Sequence, residues 1–87
     1  MRYRLQIRPS ALRDLGRLPA ADRKRVVREI DGLAEDPRPA GCRKLRTMVD
    51  CYRIRVGVYR VVYLVQDEVV TVTVVRVRHR REAYRGL

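Results

Sequence analysis

Arg53, Arg55 and Arg60 are the residues whose spacing suggests chemistry first. If Gly57 and Val58 make a two-residue hairpin turn, Val56 faces Tyr59, Arg55 faces Arg60, Ile54 faces Val61 and Arg53 faces Val62. Gly at the first central position suits a type II′ turn. The three arginines then share one face of the hairpin, with Ile54, Val56, Tyr59, Val61 and Tyr63 on the other. Like charges directly opposite each other destabilise a sheet, and an anion bridging them removes that penalty. Three solvated guanidinium groups on an exposed face is the competing reading. A second row follows, in which Val70, Val72 and Val74 continue into Arg76, Arg78 and Arg80. Alternate strand residues are about 6.7 Å apart, so these would form a linear cationic ladder. A three-residue turn at 66–68 pairs Arg60 with Val74 and puts both rows on one face. A two-residue turn at 67–68 pairs Arg60 with Val75 and separates them. The first register is preferred because it gathers the cations and leaves a continuous apolar face. Arg80 would still lie roughly 20 Å beyond Arg60, joining the group only if the chain curls back after Val77.

Few other groups offer chemistry. His79 is the one side chain that ordinarily titrates near neutrality, but in a regular strand it points away from Arg78 and Arg80. Cys42 and Cys51 with a single histidine cannot complete a four-ligand zinc site. Without a secretion signal they read as reduced thiols and structural bystanders. No carboxylate cluster joins the basic face, which suits a route without metal, and no cofactor is indicated.

The elements that must position these residues fit one small domain over 1–87. Residues 2–8 alternate apolar and polar as a half-buried strand. Ser10 suits a helix cap, and Ala11, Leu12, Leu15 and Leu18 follow at helical spacing. Pro19 suits the first turn of a second helix, which buries Val26, Val27, Ile30, Leu33 and Ala34 and ends before Pro37. From Tyr52 to His79, 11 of 28 residues are valine, a strand composition. Strands are expected at Tyr52–Val56, Tyr59–Val65 and Val69–Val77, with a helical turn or tail after Arg80. The outline is β-α-α-β-β-β, an α+β fold with a helical hairpin on one face of a mostly antiparallel sheet.

A net charge of +11 implies an anionic partner, most commonly nucleic acid. Nineteen arginines against two lysines could simply record a G+C-rich genome, so placement rather than abundance carries the argument. The longest apolar run, Val61–Val65, is too short to span a bilayer, and Met1-Arg2-Tyr3-Arg4 has no apolar signal region. The expected location is cytoplasmic, with no membrane partner. Tyr3, Tyr59 and Tyr63 fall on apolar faces and read as core, Tyr52 is open, and Tyr84 is the tyrosine placed for function. The basic helix face of Arg23, Lys24, Arg25 and Arg28 reads as solvated surface or nucleic-acid contact rather than anything catalytic.

The segments Tyr52-Arg53-Ile54-Arg55-Val56-Gly57-Val58-Tyr59-Arg60-Val61-Val62-Tyr63 and Val77-Arg78-His79-Arg80-Arg81-Glu82-Ala83-Tyr84 resemble the paired signature of the RelE/ParE toxin superfamily. Ala11-Leu12-Arg13-Asp14-Leu15 with Leu18-Pro19, then Asp36-Pro37-Arg38-Pro39 and Lys44-Leu45-Arg46, fit the same template in order. The resemblance implies the toxin of a type II toxin–antitoxin pair on a microbial-ribonuclease-like fold. It implies an mRNA interferase that cleaves mRNA on the ribosome without metal and is restrained by a cognate RelB-like antitoxin. Met48-Val49-Asp50-Cys51-Tyr52 leans toward the RelE branch, and a ParE-like inhibitor of DNA gyrase is the alternative.

Carried over by position, the resemblance implies catalytic roles for Arg53 and Arg55, where RelE-type toxins often have lysine. It implies the same for Arg60 at the scissile phosphate, Arg80 after the last strand, and Tyr84 near the C-terminus. Lys44, Arg46, Arg76, Arg78, His79 and Arg81 are expected to bind nucleic acid around them. Two departures stand out. Arginine at 53 and 55 is too basic to give up a proton readily, and Val58 sits where the signature turn usually has an acidic residue or more glycine.

Overall fold

The computed structural model describes residues 2–81. The elements are β1 (Arg4–Ile7), α1 (Pro9–Gly16), α2 (Ala20–Gly32), β2 (Arg43–Lys44), β3 (Cys51–Val56), β4 (Tyr59–Gln66), a 3-10 turn (Asp67–Val69) and β5 (Thr71–His79). The strands form one sheet ordered β1-β5-β4-β3-β2. All neighbours are antiparallel except β1 and β5, which run parallel. The α+β expectation holds, with the two-residue β2 added at the edge.

The helices lie on one face of the sheet. Ala11 and Leu15 of α1, with Val26, Ile30 and Leu33 around α2, pack on Ile54, Val56, Val61, Tyr63, Val65, Val72, Val74 and Val77. Val27, expected in this core, is instead exposed. Ser10 is not the cap of α1: Arg8 takes that position without a side-chain cap and Pro9 occupies the first turn. The Ser10 hydroxyl donates to the Val75 carbonyl at 2.8 Å.

The connection between β4 and β5 differs from either expected register. Gln66 pairs with Thr71, so four residues join the strands, and Val70 closes the turn with φ 49°. A β-bulge then interrupts the ladder. Tyr63 pairs with Val74 but Val62 pairs with Arg76, leaving Val75 as the extra residue. The contacts around the bulge come from β1 and α1. Strand β1 ends at Ile7, so the continuing edge of β5 meets α1 instead of another strand. Ser10 takes the Val75 carbonyl, and Asp14 accepts the Val77 N–H at 2.9 Å.

The bulge resets the alternation of side chains. Val72 and Val74 lie on the helix face, whereas Arg76 and Arg78 lie on the opposite one. The sequence pattern had them in one row. Arg60 pairs with Arg78 rather than Val74, so the two basic rows do share a face.

Candidate functional site

The basic face is built across adjacent strands in register. Arg55 of β3 pairs with Arg60 of β4, and Arg60 pairs with Arg78 of β5. One pair further along, Arg43 of β2 meets Arg53, which meets Val62, which meets Arg76. Directly paired residues point to the same side of an antiparallel sheet, and neighbouring strands are about 4.8 Å apart. Five guanidinium side chains from three central strands therefore leave one side of the sheet, with Arg43 at its margin.

Arg43 and Arg55 are exposed, Arg60 is half-buried and Arg53 is covered. Arg53 is only 6% exposed, and its guanidinium, whose nitrogens still reach solvent, makes no hydrogen bond or ion pair with any described residue. Arg43, Arg55 and Arg60 likewise have no such partner among the described residues. Carboxylates are used elsewhere: Asp67 accepts from Arg38 and from the Tyr3 hydroxyl, and Asp22 from the Tyr59 hydroxyl. Like charges in register across a sheet are costly, and an anion on this face relieves that cost.

Asp14 at the margin is the exception. It is 6% exposed and accepts from Arg76 Nε at 2.9 Å, Arg76 Nη2 at 3.1 Å and the Val77 N–H at 2.9 Å. Burial pushes its carboxyl up, but the donors from Arg76 and Val77 outweigh burial and hold it below the usual carboxylate range. Arg76 is therefore committed to α1, and the expectation that it binds nucleic acid loses that free charge.

The turn between β3 and β4 frames the other end. Gly57 has φ 61°, and Val58 is not in the left-handed region, as a type II′ turn requires. The Arg25 guanidinium of α2 lies over Gly57, so close that a Cβ there would come within 2.0 Å of it. The Arg80 N–H donates to the Val58 carbonyl at 2.7 Å. Because Arg78 stands opposite Arg60, Arg80 lies only two residues past that level. No curl of the chain is needed to bring it beside the turn.

Other expected residues fall elsewhere. His79 pairs with Tyr59, on the helix side of the sheet, with the rings edge to face at 6.2 Å. Its Nδ1 accepts the Arg81 N–H at 3.3 Å, and it does not face Arg60. Lys44 pairs with Tyr52 and so points to the side away from Arg53. Arg46 and Arg81 are exposed outside the strands. Tyr84 lies outside the described residues. Tyr52 is structural, stacked on Tyr63 at 6.1 Å and covered by the Arg38 guanidinium at 5.0 Å. Arg43 was missed in the sequence because a two-residue strand has no periodicity to reveal it.

Among the described residues no group of three or more His, Cys, Asp or Glu side chains is arranged to hold a metal ion. No helix of the described residues is long and apolar enough to cross a membrane. What the face offers chemically is a set of fixed positive charges able to surround a phosphodiester and to stabilise extra negative charge on it.

Comparison with known proteins agrees with this fold. The family model described as "ParE toxin of type II toxin-antitoxin system, parDE" matches residues 5–84. Toxin RelG of Mycobacterium tuberculosis is 35% identical, over 98% of this chain and 99% of its own. The mRNA interferase toxin RelE of Escherichia coli is 38% identical, over 97% of this chain and 92% of its own. The archaeal RelE–RelB complex of Pyrococcus horikoshii superposes with a TM-score of 0.82 at 31% identity, covering 95% of this chain and 100% of the chain compared. The RelBE2 toxin–antitoxin complex of Mycobacterium tuberculosis gives 0.80 at 31% identity, covering 91% and 99%. With its fold and nearly its whole length matched, the chain belongs to the RelE/ParE superfamily, as a RelE-type toxin of a toxin–antitoxin system.

Proposed function

We propose that this toxin is a ribosome-dependent mRNA interferase acting in the cytoplasm, with its basic face around the scissile phosphate. The observation that carries the reading is the register Arg55–Arg60–Arg78, beside a buried Arg53 that no described residue neutralises. The reaction is attack of a ribose 2′-oxygen on the adjacent phosphorus. That bond forms as the bond from phosphorus to the 5′-oxygen breaks, leaving a 2′,3′-cyclic phosphate and a 5′-hydroxyl. The 2′-hydroxyl proton goes to a base, and the departing 5′-oxygen acquires a proton.

Arg60, with Arg53 and Arg55, stabilises the extra charge on the phosphorane. Guanidinium groups remain protonated in proteins, so they serve as electrostatic donors and not as the base. Arg80, held beside the hairpin turn, stabilises charge on the leaving oxygen. Tyr84 stacks on a splayed base, a common way to hold single-stranded RNA. With weak acid–base groups on this face, the ribosome completes the site by orienting the mRNA. A RelB-like antitoxin restrains the toxin, by analogy with the RelB–RelE complexes that share its fold.

Induced expression followed by mapping of mRNA 5′ ends tests this. Codon-phased cuts in translated regions are expected. Intact transcripts accompanied by DNA damage would overturn the nuclease and favour inhibition of gyrase.

A further inference from the structure

Arg78 reaches the basic face only because β5 carries one extra residue, Val75. Regular alternation from Val74, which lies in the core, would send Arg76 and Arg78 to the helix side. A bulge leaves one residue unpaired and disrupts the ladder around it, so the segment that aims Arg78 needs a hold on its other edge. Strand β1 does not supply one past Val74, whose carbonyl accepts the Arg8 N–H at 3.0 Å. Two side chains of α1 stand there instead. Ser10 donates to the Val75 carbonyl at 2.8 Å, and Asp14 accepts the Val77 N–H at 2.9 Å. Being i and i+4 on α1, they share one face of the helix. We propose that Asp14, with Ser10 beside it, is a positioning residue that aims Arg78 at the scissile phosphate through the backbone of residues 75–77, a role that presupposes the nuclease reading above.

Asp14 differs from the partner of an ordinary surface ion pair. It is 6% exposed, and both of its oxygens are occupied. One of its bonds is to the backbone, one residue before Arg78, so it fixes the path of the strand as well as a side chain. The same carboxylate holds the Arg76 guanidinium, while Arg78 stands opposite Arg60. Further along β5, the Arg80 N–H reaches the Val58 carbonyl at 2.7 Å. Both arrangements depend on where residues 75–77 run. Asp14 acts through Val77 and does not itself touch the phosphate. Misplacing a catalytic group by about 1 Å can cost about 10²-fold in rate. A merely stabilising contact has a different consequence: fewer folded molecules, each cutting at the unaltered rate.

Single-turnover cleavage of mRNA on programmed ribosomes separates these, at temperatures where circular dichroism finds each full-length variant folded. Asp14→Ala should lower the saturated rate by about 10–10²-fold, with the toxin concentration for half-maximal rate held within about twofold. Asp14→Asn keeps one oxygen for Val77 and should recover most of that rate. Ser10→Ala should also slow cleavage, and Ser10→Thr, which keeps the hydroxyl, should restore it. Hydrogen exchange reads the contact itself: the Val77 amide should be protected in the unaltered and Asp14→Asn chains and exchange faster in Asp14→Ala. A folded Asp14→Ala chain that cuts at the unaltered rate overturns the positioning role. So does an equal loss in Asp14→Asn, which would put the effect in the charge instead of the Val77 contact. If Asp14→Ala does not fold, the Ser10 pair decides, and a Ser10→Ala chain as fast as the unaltered one overturns the role. An unaltered chain that leaves mRNA intact refutes the nuclease itself, whereas cutting that none of these variants slows refutes the positioning role alone.

Discussion

Asp14 joins α1 to the edge of β5, and its removal tests whether that junction holds the basic face in register. Asp14→Ala deletes the acceptor for three N–H groups, two from Arg76 and one from Val77. The Val77 amide is left on a buried edge, and an unsatisfied buried donor costs about 1–3 kcal/mol. The Arg76 side chain is 30% exposed, so it regains water and its loss is closer to about 1 kcal/mol. Asp14→Ala should therefore cost about 2–4 kcal/mol, a large share of the roughly 4–13 kcal/mol available to a chain of this length. Asp14→Asn keeps one oxygen for Val77 but turns an NH2 donor toward Arg76 Nη2 in place of the other, so about 1–2 kcal/mol is expected. Urea unfolding of the purified chain measures both. The pH dependence has a definite sign. The carboxyl lies lower in the folded state than in the unfolded one. Its contribution is thus fully present above the unfolded value of about 3.9 and is lost as pH falls through the lower folded value. The gap between the unaltered chain and Asp14→Asn should be full at neutral pH and close in acid. An Asp14→Ala variant within about 0.5 kcal/mol of the unaltered chain would refute this reasoning.

Three further outcomes follow from the turns and from His79. Gly57→Ala should lower stability by about 1–2 kcal/mol, because alanine is strained at φ 61° while the Arg25 guanidinium can swing aside; thermal unfolding reads this. Val70→Asn should raise the urea midpoint, by about 0.5–1 kcal/mol, since valine at φ 49° is strained and asparagine tolerates that region. A lowered midpoint would show that the Val70 side chain matters more than its backbone. His79→Gln should leave the pH profile of cleavage between about 5 and 8 unchanged, because its ring packs on Tyr59 away from Arg60. Loss of an acid or base limb would bring His79 into the chemistry.

The hairpin of β3 and β4 was legible because its determinants are local: one glycine, a valine-rich run and strict alternation specify the turn and the register together. Arg55 and Arg60 could be paired from spacing alone, and the structure pairs them. The bulge at Val75 was not legible. It depends on Ser10 and Asp14, which reach it from 65 and 63 residues away in the chain, and no local pattern records such contacts. Without it, Val72, Val74, Arg76 and Arg78 read as one continuous row. Arg76 and Arg78 look equivalent in sequence, yet Asp14 binds the Arg76 guanidinium. Ser10 has the side chain of a helix cap, but the edge of β5 uses its hydroxyl instead. The burial of Arg53 was hidden for a related reason. It sits mid-sheet with Val62 and Arg43 beside it, and the pairing with Arg43 comes from a strand too short to announce itself.

The most direct test of the arginine face is single-turnover cleavage of mRNA on programmed ribosomes, comparing Arg60→Ala with the unaltered chain and with Arg13→Ala on the exposed side of α1. Loss of one preorganised donor to the phosphorane should slow Arg60→Ala by about 10²–10³-fold, while Arg13→Ala cuts at the unaltered rate. An Arg60→Ala chain that folds normally and cuts as fast as the unaltered one would contradict the account.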